Sequence, residues 1–261
     1  MRFFDIPKPS LDSTRQMFIE LESDERASKI DLGIGIYRDE NGLAPVFKSV
    51  KIAEKLLFEI ETSKSYKTPA GNSKYCKNIL DLVLGKAIID ERGDKIGSIQ
   101  IPGAGSGLRI AGELIKNNLQ NKLISIPDPT WGQQPFMFKK SGLKVINHTY
   151  YNQQNNFLDF DNMIIDLKKL KSGDAVLLHG CCHNPTGADL SVDQWEQVAN
   201  ICLKQGILPF IDLVYQGLGI GVEEDVLGIR KLVQILPEVI ITVSSSKTFG
   251  VYRDRCGLIA V

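Results

Sequence analysis

A lysine and an arginine follow one of the last apolar runs of the chain, together with several hydroxyl side chains. The run Val239-Ile240-Ile241-Thr242-Val243 predicts a buried strand, Ser244-Ser245-Ser246-Lys247 follows it, and Arg255 comes soon after. Ligands of open α/β sheets bind at the carboxyl ends of strands. The hydroxyls and Arg255 could hold a phosphate, which leaves Lys247 free as an amine. This set suits a phosphorylated aldehyde cofactor, although a lone lysine is most often only solvated.

A glycine-rich loop, Pro102-Gly103-Ala104-Gly105-Ser106-Gly107, lies between a predicted strand and a predicted helix. Backbone N–H groups at a helix start attract phosphate. A nicotinamide dinucleotide would use a similar loop, and Asp128 lies about where a ribose-binding acid is expected. However, Leu108 stands where that fingerprint needs its third glycine. The loop alone therefore does not decide between the two kinds of cofactor.

Polar and aromatic side chains follow three other predicted strands. Trp131 could form one wall of a ring-binding site or simply pack. Asp212 ends a strand, with Tyr215 three residues on; its carboxylate could pair with a protonated ring nitrogen or cap the next turn. Asn184-Pro185 predicts a turn that directs an amide toward the same edge.

The loop that contains Asn184 also carries histidine and cysteine, which are common metal ligands. Cys181 and Cys182 are adjacent. Adjacent cysteines rarely bind the same zinc ion, and the usual Cys-x2-Cys pair is absent. We therefore expect no metal site here.

Composition narrows the class of protein. The 261 residues carry a formal net charge of zero, and this length fits one large domain or two small ones. The charge balance gives no indication of a nucleic-acid or membrane surface. No apolar stretch is long enough to span a membrane, and the first residues lack the apolar core of a signal peptide. Five cysteines, an odd number, favour a reducing cytoplasm over a disulfide framework.

Hydrophobic patterning predicts an α/β fold. We expect an arm followed by a helix in residues 1–30 and a tight turn at Asn41-Gly42. Helical spacing predicts two further helices, over 48–61 and 73–90. From residue 98 short apolar runs alternate with helices such as 107–118 and 191–205, which predicts a mainly parallel seven-stranded sheet with helices on both faces. The predicted strands are 98–101, 122–126, 144–149, 175–179, 207–211, 239–243 and 257–261.

These segments together resemble the class I aminotransferases, which are pyridoxal-phosphate (PLP) enzymes of fold type I. The resemblance rests on Asn184-Pro185-Thr186-Gly187, on Asp212 with Tyr215, and on Ser244-x-x-Lys247 with Arg255. It is closest to the aspartate and aromatic-amino-acid branch, and it runs from about residue 5 to 261. The segments most similar to that branch are Gly33-Ile34-Gly35-Ile36-Tyr37-Arg38-Asp39-Glu40, Gly180-Cys181-Cys182-His183 and Tyr215-Gln216-Gly217.

The resemblance implies a role for each site residue. Lys247 would form the imine with PLP and move the proton between substrate and cofactor. Asp212 would keep the ring nitrogen protonated, and Trp131 would stack on the ring. The remaining contacts implied are Tyr215 and Asn184 to the ring oxygen, and Ser244, Arg255, Ala104, Gly105 and Ser106 to the phosphate.

The resemblance also implies an assembly and a domain plan. Tyr66 would reach the phosphate bound in the neighbouring subunit of a homodimer. Gly35, with Trp131 and Asn184, would contact the substrate. Residues 1–45 would form an arm and part of the small domain, and residues 46–261 the PLP-binding large domain. Family members continue for well over a hundred residues, so we expect a C-terminally truncated chain with an incomplete small domain.

Two positions depart from the family pattern. Gln134 stands where the family has a histidine that supports the aspartate, and an amide donates a hydrogen bond but carries no charge. The glycine loop also differs, which leaves open whether Gly105 or Ser106 contacts the phosphate.

The expected reaction is amino transfer in amino-acid metabolism or biosynthesis, from aspartate or an aromatic amino acid to a 2-oxo acid such as 2-oxoglutarate. The alternatives are a non-catalytic remnant that binds PLP or a partner, and a nicotinamide-dependent oxidoreductase.

Overall fold

The computed structural model describes residues 13–26, 28–30 and 35–261, and the chain divides into two compact units, Met1–Pro45 and Val46–Val261. In the first unit, helix α1 spans Ser13–Ser23. The predicted turn at Asn41-Gly42 is confirmed, because the Gly42 N–H donates to the Asp39 carbonyl over 2.9 Å. Residues 1–12, at the start of the predicted arm and helix over 1–30, lie outside the described residues, as do residue 27 and the segment 31–34.

The second unit is built on a seven-stranded sheet in the order β1-β9-β8-β7-β6-β2-β3. Strand β9 runs antiparallel to both of its neighbours, and the other four pairs are parallel. The mainly parallel sheet predicted from the apolar runs is therefore confirmed. The strands are β1 Ser98–Ile101, β2 Leu123–Asp128, β3 Lys144–Thr149, β4 Tyr151–Asn152, β5 Phe157–Leu158, β6 Ala175–His179, β7 Leu208–Leu213, β8 Ile240–Ser244 and β9 Gly257–Ala260, of which β4 and β5 form a separate two-stranded ladder.

Helices cover both faces of the sheet, and neighbouring strand residues point to opposite sides. Phe210 of β7 packs with Leu108 and Phe138 on one face, whereas Ile211 packs with Trp195 and other residues on the second face. Helices α4 and α5 cover the first face, and α3, α6, α7 and α8 cover the second. The helices are α2 Lys48–Ile60, α3 Ser73–Arg92, α4 Ala104–Asn118, α5 Gln133–Lys140, α6 Phe160–Leu167, α7 Val192–Gln205, α8 Leu227–Ile235 and α9 Ser245–Thr248.

Helix α3 is broken at Gly85, whose φ of 76° lies in the left-handed region. The break removes the helical partners of the carbonyls just before it. Gln216 donates to the Leu82 carbonyl over 3.1 Å, and Arg230 donates to the Val83 carbonyl over 2.9 Å. Two long side chains, one from the loop after β7 and one from α8, therefore stabilise the break.

Helix α4 lies very close to β8 because residue 107 has no side chain. A Cβ built on Gly107 would lie 2.5 Å from Cγ2 of Thr242 and 2.7 Å from Cδ1 of Ile101. This glycine fixes the depth at which α4 sits on the sheet. Within the described part of the chain, no helix is both long and apolar enough to cross a membrane.

Candidate functional site

Four adjacent strands, β2, β6, β7 and β8, bring polar side chains to one edge of the sheet. The register pairs His179 of β6 with Asp212 of β7, and Asp212 with Thr242 of β8. Lys247 lies just beyond the end of β8, in α9. Because these strands are parallel, their carboxyl ends meet, as in other α/β binding sites. The sequence prediction of a shared strand-end site is consistent with this placement.

Asp212 is buried, with 5% of its surface exposed, yet both of its oxygens are hydrogen-bonded. Gln134 Nε2 donates to Oδ2 over 2.7 Å, and the Thr242 hydroxyl donates to Oδ1 over 3.2 Å. Burial raises the pKa of Asp212 to about 6, although both hydrogen bonds and the charge of Lys247 act in the opposite direction. A carboxylate in this position favours a cationic partner, which would restore its ionised form.

Lys247, Tyr215 and Asn184 lie side by side at the ends of β8, β7 and β6. The Lys247 amine lies 5.8 Å from the centre of the Tyr215 ring, and Asn184 Nδ2 donates to the Tyr215 hydroxyl over 3.5 Å. Burial, followed by the charge of Arg255, lowers the pKa of Lys247, and Asp212 opposes them. A lowered pKa increases the fraction of neutral, nucleophilic amine.

Two groups that could hold an anion, a helix start and a guanidinium, lie near this amine. Helix α4 begins after Gly103, which has a φ of 83° and no side chain to cap the first N–H groups. The Arg255 guanidinium occupies the space that a Cβ on Gly103 would fill, and it donates to the Ser246 hydroxyl over 3.3 Å. A guanidinium beside a free helix N-terminus provides both charge and donors for a phosphate.

The hydroxyls of the serine run have different partners. Ser244 accepts from the Ser246 N–H over 3.2 Å and so caps α9, which leaves its own proton free to donate. The Ser245 hydroxyl lies 2.7 Å from the hydroxyl of Tyr75. Ser106 donates to the Gly103 carbonyl over 2.7 Å. Tyr75 was not found by sequence reasoning, since nothing in its helical context distinguishes it.

The sequence analysis also missed the two residues behind Asp212. Thr242 is the one polar residue in the apolar run 239–243, and this was a usable signal. His179 is the register partner of Asp212, and its Nε2 lies 3.1 Å from Gln134 Oε1. Gln134 was recognised as a departure from the family pattern, but its contact with His179 depends on the tertiary fold.

The roles implied for Trp131, Tyr66 and Gly35 stay predictions. Trp131 lies just before α5 and is 38% exposed. The Tyr66 side chain is fully exposed, in a segment between α2 and α3. Gly35 belongs to the first unit.

The cysteine pair has a neighbouring carboxylate. Ligand atoms of Cys181, Cys182 and Asp225 lie within 4.8 Å of one another. However, the Asp225 oxygens already accept four backbone N–H groups, from residues 217, 219, 220 and 221. Burial also raises the pKa of both thiols, which disfavours the thiolate form that binds metals.

Comparison with known proteins identifies the family. Residues 27–261 match the family model described as "Aminotransferase class I and II". The chain belongs to this family. The aromatic-amino-acid aminotransferase of Pseudomonas aeruginosa is 43% identical over 92% of the chain, and the aspartate aminotransferase of Escherichia coli K12 is 40% identical over 90%. The chain spans about 60% of the length of these curated relatives.

Solved structures of this aminotransferase family have the same fold. The aromatic-amino-acid aminotransferase of Burkholderia pseudomallei, described as covalently bound to pyridoxal phosphate, is 30% identical and superposes with a TM-score of 0.93. That comparison covers the whole of this chain and 65% of the other. The fold-type I architecture expected from the sequence is confirmed.

Proposed function

We propose that this aminotransferase chain binds PLP and transfers an amino group from aspartate or an aromatic amino acid to a 2-oxo acid such as 2-oxoglutarate. The observation that carries the proposal is the convergence of Asn184, Asp212, Tyr215 and Lys247 on the ends of three neighbouring strands. Residues 46–261 would be the cofactor domain. The cytoplasmic location and the homodimer, with Tyr66 reaching a neighbouring subunit, stay predictions.

The residues present fit the cofactor. A phosphate suits the start of α4, where Gly103 leaves room for Arg255. The first residues of α4, Ala104, Gly105 and Ser106, and Ser244 at the end of β8 would supply the other phosphate contacts. Asp212 suits a protonated ring nitrogen because it is a buried carboxylate without a cationic hydrogen-bond partner among the described residues. When bound, PLP supplies an aldehyde and an electron-accepting ring.

The side chains around the cofactor would each have a separate role. Lys247, with its lowered pKa, would attach the cofactor and then move a proton as general base and acid. Tyr215 and Asn184 would orient the ring oxygen, and Trp131 would form a wall of the site. Leu108 is fully buried in the core, which counts against the glycine fingerprint of a nicotinamide enzyme.

The direct test measures amino transfer. Purified protein with PLP is given aspartate or phenylalanine together with 2-oxoglutarate, and glutamate formation is followed. We expect glutamate from at least one donor, and none from the Lys247→Ala variant. PLP binding without any glutamate in the parent would instead favour the non-catalytic remnant, and failure to bind PLP would reject the proposal.

A further inference from the structure

A continuous set of hydrogen bonds joins the Asn184 loop to Asp212. The backbone N–H of Asn184 donates to Nδ1 of His179 over 3.2 Å. An Nδ1 that accepts must be unprotonated, so the neutral ring carries its proton on Nε2. Nε2 lies 3.1 Å from Gln134 Oε1, and it therefore donates to that oxygen. A backbone group that cannot titrate thus sets the tautomer of His179.

The amide of Gln134 has only one satisfactory orientation. Its oxygen receives His179 Nε2–H and also the hydroxyl of Thr130. Its nitrogen donates to Asp212 Oδ2 over 2.7 Å. A flipped amide would place its oxygen against the carboxylate and its N–H groups against the Nε2–H of His179. Gln134 is fully buried, so water cannot replace either partner.

We propose that Gln134 is a positioning residue that ties the Asn184 loop to Asp212 and gives the carboxylate a donor that never titrates. The inference rests on the proposed function, in which Asn184 and Asp212 both hold the PLP ring. An imidazole at this place would change its charge near neutral pH, whereas an amide does not. The donor to Asp212 is therefore kept at any pH at which the protein is folded.

The charged and titratable groups around Asp212 come from every neighbouring element. Lys247 of α9 faces it directly, and Arg255 in turn faces Lys247. Tyr215 lies on the segment after β7, and burial and then the charge of Asp212 raise its pKa. His179 lies behind Gln134, with His183 stacked on it at 4.4 Å and His148 within electrostatic range. Substitutions at residue 134 leave all of these groups in place.

The first test follows the ionisation of Asp212 in cofactor-free protein by ¹³C NMR of labelled aspartate carboxyls, with Asp212→Asn for assignment. Gln134→Leu removes both hydrogen bonds, and Gln134→Met removes both with a side chain of nearly the same length as glutamine. The control is Gln133→Leu, since Gln133 is the exposed neighbour in the same helix.

We expect the pH midpoint of Asp212 ionisation to rise by about one unit or more in Gln134→Leu, because the carboxylate loses the hydrogen bond that the Gln134 amide donates to it. It should rise by a similar amount in Gln134→Met and stay unchanged in Gln133→Leu. If Gln134→Leu does not fold, Gln134→Met, which is closer to glutamine in length, decides alone. A midpoint equal to that of the parent in Gln134→Met would overturn the proposal.

The second test measures PLP affinity by titration of the cofactor absorbance. At metal sites, loss of a residue that orients a ligating group commonly weakens binding about 10- to 100-fold, and by analogy we expect a loss in this range for Gln134→Leu. Equal affinity of parent and variant would overturn the link to the cofactor site. If the parent itself does not bind PLP, the proposed function fails, but the NMR titration still tests the hydrogen-bonded link.

Discussion

The amine nitrogen of Lys247 lies 5.8 Å from the centre of the Tyr215 ring, and both side chains are partly buried. Burial removes water from the ammonium form, and the nearby Arg255 repels it. The amine is therefore neutral at a lower pH than that of an exposed lysine.

PLP should attach to Lys247 faster than to surface lysines, since the neutral amine is the nucleophile. As pH rises, the rate at Lys247 should also reach its plateau at a lower pH than the rate at surface lysines. Borohydride reduction followed by peptide mass mapping locates the label. Lys247→Ala should abolish the label, and Lys204→Ala, at an exposed position, should leave it unchanged. Labelling of another lysine in the parent would show that the assignment of Lys247 is wrong.

Asp212 should make the cofactor-free protein less stable as pH rises. Its pKa is raised to about 6 in the folded chain, from a usual value of 3.8. Between about pH 4 and 6 the unfolded chain loses this proton while the folded chain keeps it, so folding stability falls as pH increases. The pKa difference corresponds to about 3 kcal/mol.

The comparison of parent and Asp212→Asn by urea unfolding at pH 4.5 and 7 isolates this contribution, because the other titrating groups are common to both proteins. From pH 4.5 to pH 7 the free energy of unfolding should fall more in the parent than in Asp212→Asn. Identical pH dependence in both proteins would contradict the raised pKa.

Gly107→Ala should destabilise the fold by about 1–3 kcal/mol, a typical effect of overpacking. The new methyl group would lie 2.5 Å from Thr242, so α4 would have to move away from β8. Thermal unfolding measures the change. Gly105→Ala is the matched control in the same helix, because its methyl group would lie 3.6 Å from Met137, an ordinary contact. Equal melting temperatures for the two variants would refute the packing argument.

Arg255→Ala should weaken PLP binding by about 10- to 100-fold, the effect of one charge-assisted contact to phosphate. Binding of pyridoxal, which lacks the phosphate, should change little. Arg253→Ala is the control, since that side chain is 95% exposed and two residues away. An equal loss for PLP and pyridoxal would indicate that Arg255 acts by supporting the fold and not by holding the phosphate.

The sequence predicted the sheet well because each buried strand is a short apolar run. It did not predict that β9 runs in the opposite direction, because an apolar run carries no information about strand direction. The break of α3 at Gly85 was also missed, since the helical pattern of apolar residues continues through it. Confirmed elements such as β1, β3 and β6 have the bounds predicted for them.

The residues that converge on the strand ends were predictable because their types are unusual at such places. Lys247, Asp212 and Asn184 each stand out as polar groups next to an apolar run. The links between them were not predictable, because they join residues far apart in the chain. Gln134 and Asp212 are 78 positions apart, and only the fold brings their side chains together.

The broken helix α3 has a consequence for the dynamics of the protein. Its first segment ends in carbonyls held by Gln216, which follows Tyr215 directly, and by Arg230. Backbone amides exchange with solvent deuterium in cooperative units, and the free energy of opening a unit depends on the contacts that hold its ends. We therefore expect the end of this segment and the loop after β7 to open together. A ligand that immobilises Tyr215 would then slow deuterium uptake at the end of this segment of α3, which covers the same face of the sheet that Tyr215 packs against.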